Sequence, residues 1–225
     1  MSARASGWRA WVLVLAACAA IAHAQEIVDI EGLKARANGG DRKAGRLLAE
    51  MYYVGRGGVE QDFREAAHWY EKLAKQGDPR AQTSLGLMYA RGYGVEKNVD
   101  TARRWWSFAA SQNDPGAQYN LGVIYSTGDG VPPDYPRAVR WFDLAAQRGH
   151  VQAQHNLAML YHEGKGAARD PVRAYFWMKV AALQGDDVSQ NALKLVGQGL
   201  SESQVRQAES EAAEWMKRYK KIVGQ

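Results

Sequence analysis

The chain has 225 residues, of which 46% are hydrophobic, and it carries a formal net charge of +5. Its apolar content is sufficient for an extended hydrophobic core. Its positive charge is mild and lacks the dense basic stripe that nucleic-acid binding requires. The composition therefore predicts a folded protein that does not bind nucleic acid.

Residues 1–24 have the pattern of an export signal. Arg4 and Arg9 accompany an apolar run, 10–22, which is too short to span a bilayer comfortably and leads into an A-x-A cleavage site. We expect a mature chain that begins at Gln25, has no membrane span and, without the two arginines, carries a charge of +3. The expected location is periplasmic or secreted.

A competing interpretation of the same segment rests on Cys18. The sequence Leu-Ala-Ala-Cys that ends at Cys18 resembles a bacterial lipobox, in which the cysteine is lipidated and becomes the first residue. The residues that follow, 19–22, stay apolar and fit a continuing signal segment better. Attachment as a lipoprotein through Cys18 is therefore the alternative. Because Cys18 is the only cysteine, a chain that begins at Gln25 has no disulfide, thiolate metal site or cysteine nucleophile.

Beyond the signal, a block of about 36 residues recurs four times, which is typical of stacked helical repeats. The blocks cover 41–77, 78–113, 114–149 and 150–185, within a repeat region of 41–188. Residues 25–40 resemble the end of a block and are predicted to form an N-terminal capping half-repeat. We therefore predict an all-α fold, an α/α solenoid of helix-turn-helix units.

Each block is predicted to begin with an amphipathic helix. In the third block Ala117, Leu121 and Tyr125 lie four residues apart, so they fall on one side of a helix and form a buried stripe. Gly128 and Gly130 then end the helix, because glycine adopts positive φ at little cost.

Each block is predicted to end with a second helix that carries a repeated tryptophan. We predict that four of these residues fill the core: Trp69, Trp105, Trp141 and Trp177. Trp106 is outside this phase and is predicted to be half-buried against the next repeat. Residues 189–225 are predicted to form C-terminal capping helices, the last of which starts with a capping box from Ser201 to Gln204.

The recurring pattern A-x-x-x-L-G-x-x-Y-x-x-G-x-G-V-x-x-[DN]-x-x-x-A-x-x-W-[FYW]-x-x-A-A resembles that of the Sel1-like repeat family. The resemblance covers about Asp41 to Ser189. It implies antiparallel helix pairs in a right-handed superhelix with a concave groove, related to tetratricopeptide arrays. It also implies protein–protein interaction, commonly as an adaptor or scaffold, without implying one partner.

The sequence favours a protein without catalytic activity. His155 and His162 lie seven residues apart near Glu163, which is not the i, i+4 spacing of a zinc helix, and no third ligand is evident. The motifs Ser-x-x-Lys, Gly-x-Ser-x-Gly and His-Glu-x-x-His do not occur. We expect no enzyme, no metal and no cofactor. The alternatives are an envelope hydrolase or cell-wall-binding protein, penicillin-recognising or peptidoglycan-related, or a secreted factor that acts on another cell.

The partner is expected to bind in the groove, on the side of the first helices that faces away from the Ala-Leu-Tyr stripe. Nine candidate positions follow from this geometry: Thr83, Ser84, Arg91, Tyr119, Asn120, Thr127, His155, Asn156 and Glu163. Amides in register can bond the backbone of an extended peptide. The predicted function is an exported, non-catalytic adaptor in the bacterial cell envelope that binds another protein or peptide.

Overall fold

The computed structural model describes residues 28–224, so the predicted export signal, its cleavage after Ala24 and Cys18 lie outside the described residues. Residues 28–224 contain α-helices and no β-strand, which confirms the all-α prediction. The helices are α1 (Ile30–Asn38), α2 (Arg42–Val54), α3 (Phe63–Lys75), α4 (Pro79–Arg91), α5 (Val99–Ser111), α6 (Pro115–Thr127), α7 (Tyr135–Gln147), α8 (Val151–Glu163), α9 (Pro171–Leu183), α10 (Asp187–Val196) and α11 (Glu202–Val223).

The chain forms two compact units, one up to Lys72 and one from Leu73 onward. In the first unit α1 packs against α2. In the second, each helix from α4 to α9 packs against the next one in sequence, which is the arrangement of an α/α solenoid. We call α2, α4, α6 and α8 the A helices, and α3, α5, α7 and α9 the B helices. Among residues 28–224 no helix combines the length and apolar content needed to cross a membrane.

Side-chain caps fix where the A helices begin. A side-chain acceptor takes a hydrogen bond from a first-turn amide at each start: Asp41, Asp78, Asp114 and His150. Each A helix then ends at a glycine in the left-handed conformation: Gly55, Gly92, Gly128 and Gly164. An unpaired amide at a helix start is costly, and residues with a side chain disfavour positive φ. The capping residue at the start and the glycine at the end therefore set the length of each A helix.

The core is centred on the residue after the repeated tryptophan. Trp106 is 4% exposed and Phe142 is 1% exposed, whereas the preceding Trp105 and Trp141 are only partly buried. The prediction of a core tryptophan is therefore wrong for Trp105 and Trp141, although Trp69 and Trp177 are buried. The prediction that Trp106 is half-buried is also wrong, because the ring is fully buried; it shares a core cluster with Leu121 and Ile124 of the next repeat, and its indole nitrogen donates to the carbonyl of Thr83 at 3.0 Å.

The reason for this difference lies on the facing A helix. A Cβ atom on Gly122 would lie 2.5 Å from the ring of Phe142, and one on Gly86 would lie 2.5 Å from Trp106. The glycine of the Leu-Gly pair thus leaves room for the ring that follows the tryptophan. The tryptophan itself, one helix position away, is rotated by about 100° toward the surface.

Buried glutamines connect successive repeats. Gln82, Gln118 and Gln154 are at most 5% exposed, and their amide nitrogens donate to carbonyl oxygens at the end of the preceding B helix, at 3.1 to 3.4 Å. The amide of Gln112 donates in turn to Gln82, and that of Gln184 donates to Gln154. These bonds satisfy polar groups that burial would otherwise leave unpaired.

The last helix, α11, packs against α9 and reaches back to the third repeat. Its capping box from Ser201 to Gln204 is present as predicted. Trp215 contacts Trp177 edge to face, with ring centroids 5.9 Å apart, and stacks on Tyr219. The hydroxyl of Tyr219 donates to the carbonyl of Arg148 at 3.3 Å. These contacts hold α11 against the rest of the second unit.

Candidate functional site

A cleft of about 480 Å³ opens on the side of the A helices α4 and α6. We call it the A-face cleft. Three of the nine predicted groove residues line it: Arg91, Asn120 and Thr127. Its apolar lining includes Leu87, Val123 and Ile124 together with Trp106, and Lys97 and Asp129 add one charge of each sign.

The polar groups of the cleft suit a peptide backbone. Asn120 can donate and accept at once, as a backbone amide requires. Arg91 is exposed at the last turn of α4, and within residues 28–224 its guanidinium forms no hydrogen bond or ion pair. The hydroxyl of Thr127 donates to the carbonyl of Val123 at 2.9 Å, so its oxygen remains an acceptor. An extended segment placed here would meet apolar surface flanked by groups that bond its main chain.

Three other predicted groove residues hold their repeat to the repeat or capping helix that follows it. The hydroxyl of Thr83 donates to the carboxylate of Asp114, which caps the next A helix, at 2.8 Å. Tyr119 stacks on the ring of His150, the next cap, with centroids 4.4 Å apart. His155 lies 2.9 Å from the hydroxyl of Ser189, measured from Nδ1 to Oγ. Their side chains therefore stabilise the stack, whether or not a partner also contacts them.

The remaining predicted residues are distributed along the same helices. Ser84 and Asn156 are half-buried, and Glu163 is exposed and forms an ion pair with Lys165 at 2.8 Å. The ring nitrogen Nδ1 of His162 is buried without a hydrogen-bond partner. Residues 28–224 contain no group of three or more His, Cys, Asp or Glu side chains that could hold a metal ion.

His150 has an unusual environment for a helix cap. Burial lowers its pKa below the ordinary 6.5, because the charged imidazolium is poorly solvated there, although the carboxylate of Asp114 opposes this shift. Its Nδ1 accepts a hydrogen bond from the amide of Ala153 at 3.3 Å, which requires the neutral ring. The hydrogen bond and the lowered pKa both indicate the uncharged form.

A second polar surface, which the sequence did not predict, lies on the B helices α5 and α7. Its arginines include Arg104 and Arg140, each of which directly precedes a repeated tryptophan. This Arg-Trp pair recurs at a spacing of one repeat, and that recurrence is the sequence pattern that indicates the surface. The pattern was not used because both tryptophans were predicted to lie in the core.

Comparison with known proteins identifies the repeats. The family model described as Sel1 repeat matches residues 44–78, 79–114, 115–150 and 151–186. The structure of a protective antigen of uropathogenic Escherichia coli with an SLR fold is 32% identical, with a TM-score of 0.78, over 84% of this chain and 41% of the other. A Sel1 repeat protein from Oxalobacter formigenes is 36% identical, with a TM-score of 0.66, over 74% of this chain and 48% of the other.

A curated relative matches a shorter segment. It is an ERAD-associated E3 ubiquitin-protein ligase component, HRD3A, of Arabidopsis thaliana, and it is 35% identical over 68 residues. The match covers 30% of this chain and 10% of the relative. This chain thus spans less than half the length of these solved structures and a tenth of the curated relative.

Proposed function

Because the chain belongs to the Sel1 repeat family, whose repeats form a protein-interaction fold, we propose that it is an exported, non-catalytic adaptor of the bacterial cell envelope. It binds a protein or peptide segment in the A-face cleft. The observation that carries this proposal is the meeting of Arg91, Asn120 and Thr127 around an apolar floor in one cleft.

The location of the adaptor rests on the sequence of residues 1–24. Export with cleavage before Gln25 is supported by Arg4 and Arg9, by the short apolar run and by the A-x-A site. Mass spectrometry of the protein purified from its host tests this directly. An N-terminus at Gln25 without lipid supports export in soluble form, whereas a diacylated Cys18 would make the protein a lipoprotein.

Site-specific crosslinking tests the cleft. A photoreactive residue placed at Thr127, which is exposed and lines the cleft, should yield a discrete crosslinked product in intact host cells. As the control, the photoreactive residue is placed at Ser210, which is exposed on α11, and there it should not yield that product. A product of equal yield from both positions would contradict binding in the cleft.

A charge reversal then measures the role of Arg91. Arg91→Glu should weaken formation of the Thr127 crosslink, because the guanidinium is unpaired and available to a partner carbonyl or carboxylate. Arg80→Glu on the same helix, also exposed, makes the same change of charge outside the cleft and is the matched control. The hydrolase alternative is addressed by incubating mature protein with peptidoglycan and a penicillin reporter, and turnover there would refute a non-catalytic adaptor.

A further inference from the structure

The B helices α5 and α7 carry a surface rich in arginine and aromatic residues. A cavity of about 240 Å³ is lined by Arg103, Arg104, Ser107, Phe108 and Tyr125. A second cavity of about 360 Å³ is lined by Tyr125, Arg137, Arg140, Trp141 and Leu144. Because Tyr125 lines both, the two cavities adjoin. We call them together the B-face groove.

The groove holds more positive charge than its surroundings neutralise. Arg103 pairs with Asp100 at 2.6 Å, and Arg137 pairs with Asp134 at 3.1 Å. In the described part of the chain, neither Arg104 nor Arg140 forms a hydrogen bond or an ion pair, and both are exposed. No carboxylate lines either cavity. Two free guanidinium groups thus occupy equivalent positions in adjacent repeats.

Large apolar side chains lie exposed between these charges. Phe108 is 56% exposed and Leu144 is 38% exposed, and Trp141 is only partly buried. Trp105 packs edge to face on Phe108, with ring centroids 5.8 Å apart, which restrains the exposed ring. The guanidinium of Arg137 lies over the ring of Tyr125 at 5.4 Å. Tryptophan, tyrosine and arginine are the residue types that contribute most to protein–protein affinity, and here they lie together on one surface.

We propose that the B-face groove binds an acidic segment of a partner protein that carries aromatic or aliphatic side chains. The unpaired Arg104 and Arg140 would each bind a carboxylate through the two parallel hydrogen bonds that a guanidinium can donate. The two cavities, separated by Tyr125, would each receive an apolar side chain. A nucleic acid or a lipid surface fits less well, because only two cations are free and the apolar lining is divided into separate cavities.

This proposal rests on side chains of the B helices and on Tyr125 of α6, and not on the use of the A-face cleft. It adds a second binding surface on another set of helices of the same repeats. One molecule could then hold two partners at once, as an adaptor must.

The experiment selects short random peptides displayed on phage against mature protein and measures the affinity of the selected peptides by fluorescence anisotropy. Peptides rich in Asp or Glu with at least one aromatic or large aliphatic residue are expected. Their affinity should fall by at least about tenfold in Arg104→Glu/Arg140→Glu, because attraction becomes repulsion. Arg80→Glu/Lys194→Glu is the matched control, since both residues are exposed and the change of charge is the same.

A second variant keeps the test independent of charge alone. Phe108→Ser should also weaken the same peptides, and its thermal melting should stay close to that of the parent because the ring is largely exposed. Failure to select acidic peptides, or equal affinity for Arg104→Glu/Arg140→Glu and its control, would overturn the proposal. The proposal would also be overturned if binding to phosphatidylglycerol vesicles or to heparin depends on Arg104 and Arg140 while peptide binding does not.

Discussion

A Cβ atom on Gly86 would lie 2.5 Å from the indole nitrogen of Trp106, so the second repeat closes around a position that has no side chain. The third repeat has the same relationship between Gly122 and Phe142. In the fourth repeat alanine replaces the glycine, as Ala158, and the facing position is a methionine. The size of one residue is therefore matched to the size of the other.

This match predicts the effect of filling the space in the third repeat. Gly122→Ala should destabilise the protein by roughly 1–3 kcal/mol, as overpacking of a core does. Adding Phe142→Met recreates the pair found in the fourth repeat and should restore part of the loss. Urea denaturation of the two single variants and the double variant measures the coupling. Additive losses would show that Gly122 and Phe142 do not compete for the same space.

The adjacent aromatic residues Trp141 and Phe142 should differ in their contributions to stability. Phe142→Ala is expected to cost about 3–5 kcal/mol, as large truncations in a core do. Trp141→Ala should cost clearly less, because Trp141 is only partly buried. Urea denaturation followed by circular dichroism compares the two. A larger loss for Trp141→Ala would reverse the assignment of the core.

These two residues also show how far the sequence alone leads. The repeat period, the capping aspartates and the glycines at the helix ends predict the helices, because capping and helix termination depend on local backbone chemistry. The choice between Trp141 and Phe142 depends on a rotation of about 100° and on the space that Gly122 leaves. The B-face groove depends on how side chains of two repeats meet, which no single block reveals. The contacts of three groove candidates could not be predicted for the same reason, since Thr83 and Tyr119 contact the following repeat and His155 contacts the C-terminal cap.

An unmatched glutamine in the third repeat offers a stabilising substitution. The side-chain oxygen of Gln118 is buried without a hydrogen-bond partner, whereas those of Gln82 and Gln154 each accept from a glutamine 30 residues further along, at the end of the same repeat. The third repeat has Arg148 at that glutamine position. Arg148→Gln should satisfy Gln118 and raise the free energy of unfolding by about 1 kcal/mol.

The competing loss in this variant is small. The guanidinium of Arg148 donates to Asn113 and to the carbonyl of Leu144, both at exposed sites, and these bonds would disappear. The bond from Tyr219 would persist, because it ends on the backbone carbonyl. Denaturation in urea gives the sign of the net change. A decrease in stability would mean that the exposed bonds outweigh the buried one, and Arg148→Ala, which removes the exposed bonds without supplying an amide to Gln118, is the control that measures their loss.

His150 should make stability depend on pH. Because burial lowers its pKa, a proton binds more tightly in the unfolded chain, so this contribution is fully present above the ordinary pKa of 6.5. It is lost as the pH falls from 6.5 toward the lowered value. His150→Asn retains an N-cap and should flatten the pH dependence of the urea midpoint in this range. Gln152→Asn, at an exposed site in the first turn of the same helix, is the control and should leave the slope unchanged.

The neighbours Tyr119 and Asn120 should separate stability from binding. Tyr119→Ala removes the stack on His150 and the contact with Phe142, so we expect a loss of about 1–2 kcal/mol. Asn120→Ala removes an amide that lines the A-face cleft and should change stability by about 0.5 kcal/mol or less. The same Asn120→Ala substitution should reduce the crosslink formed from Thr127, whereas Asn191→Ala, exposed on α10, should not. A normal crosslink in Asn120→Ala would remove the amide from the binding site, and a lowered melting temperature would make Asn120 a structural residue like Tyr119.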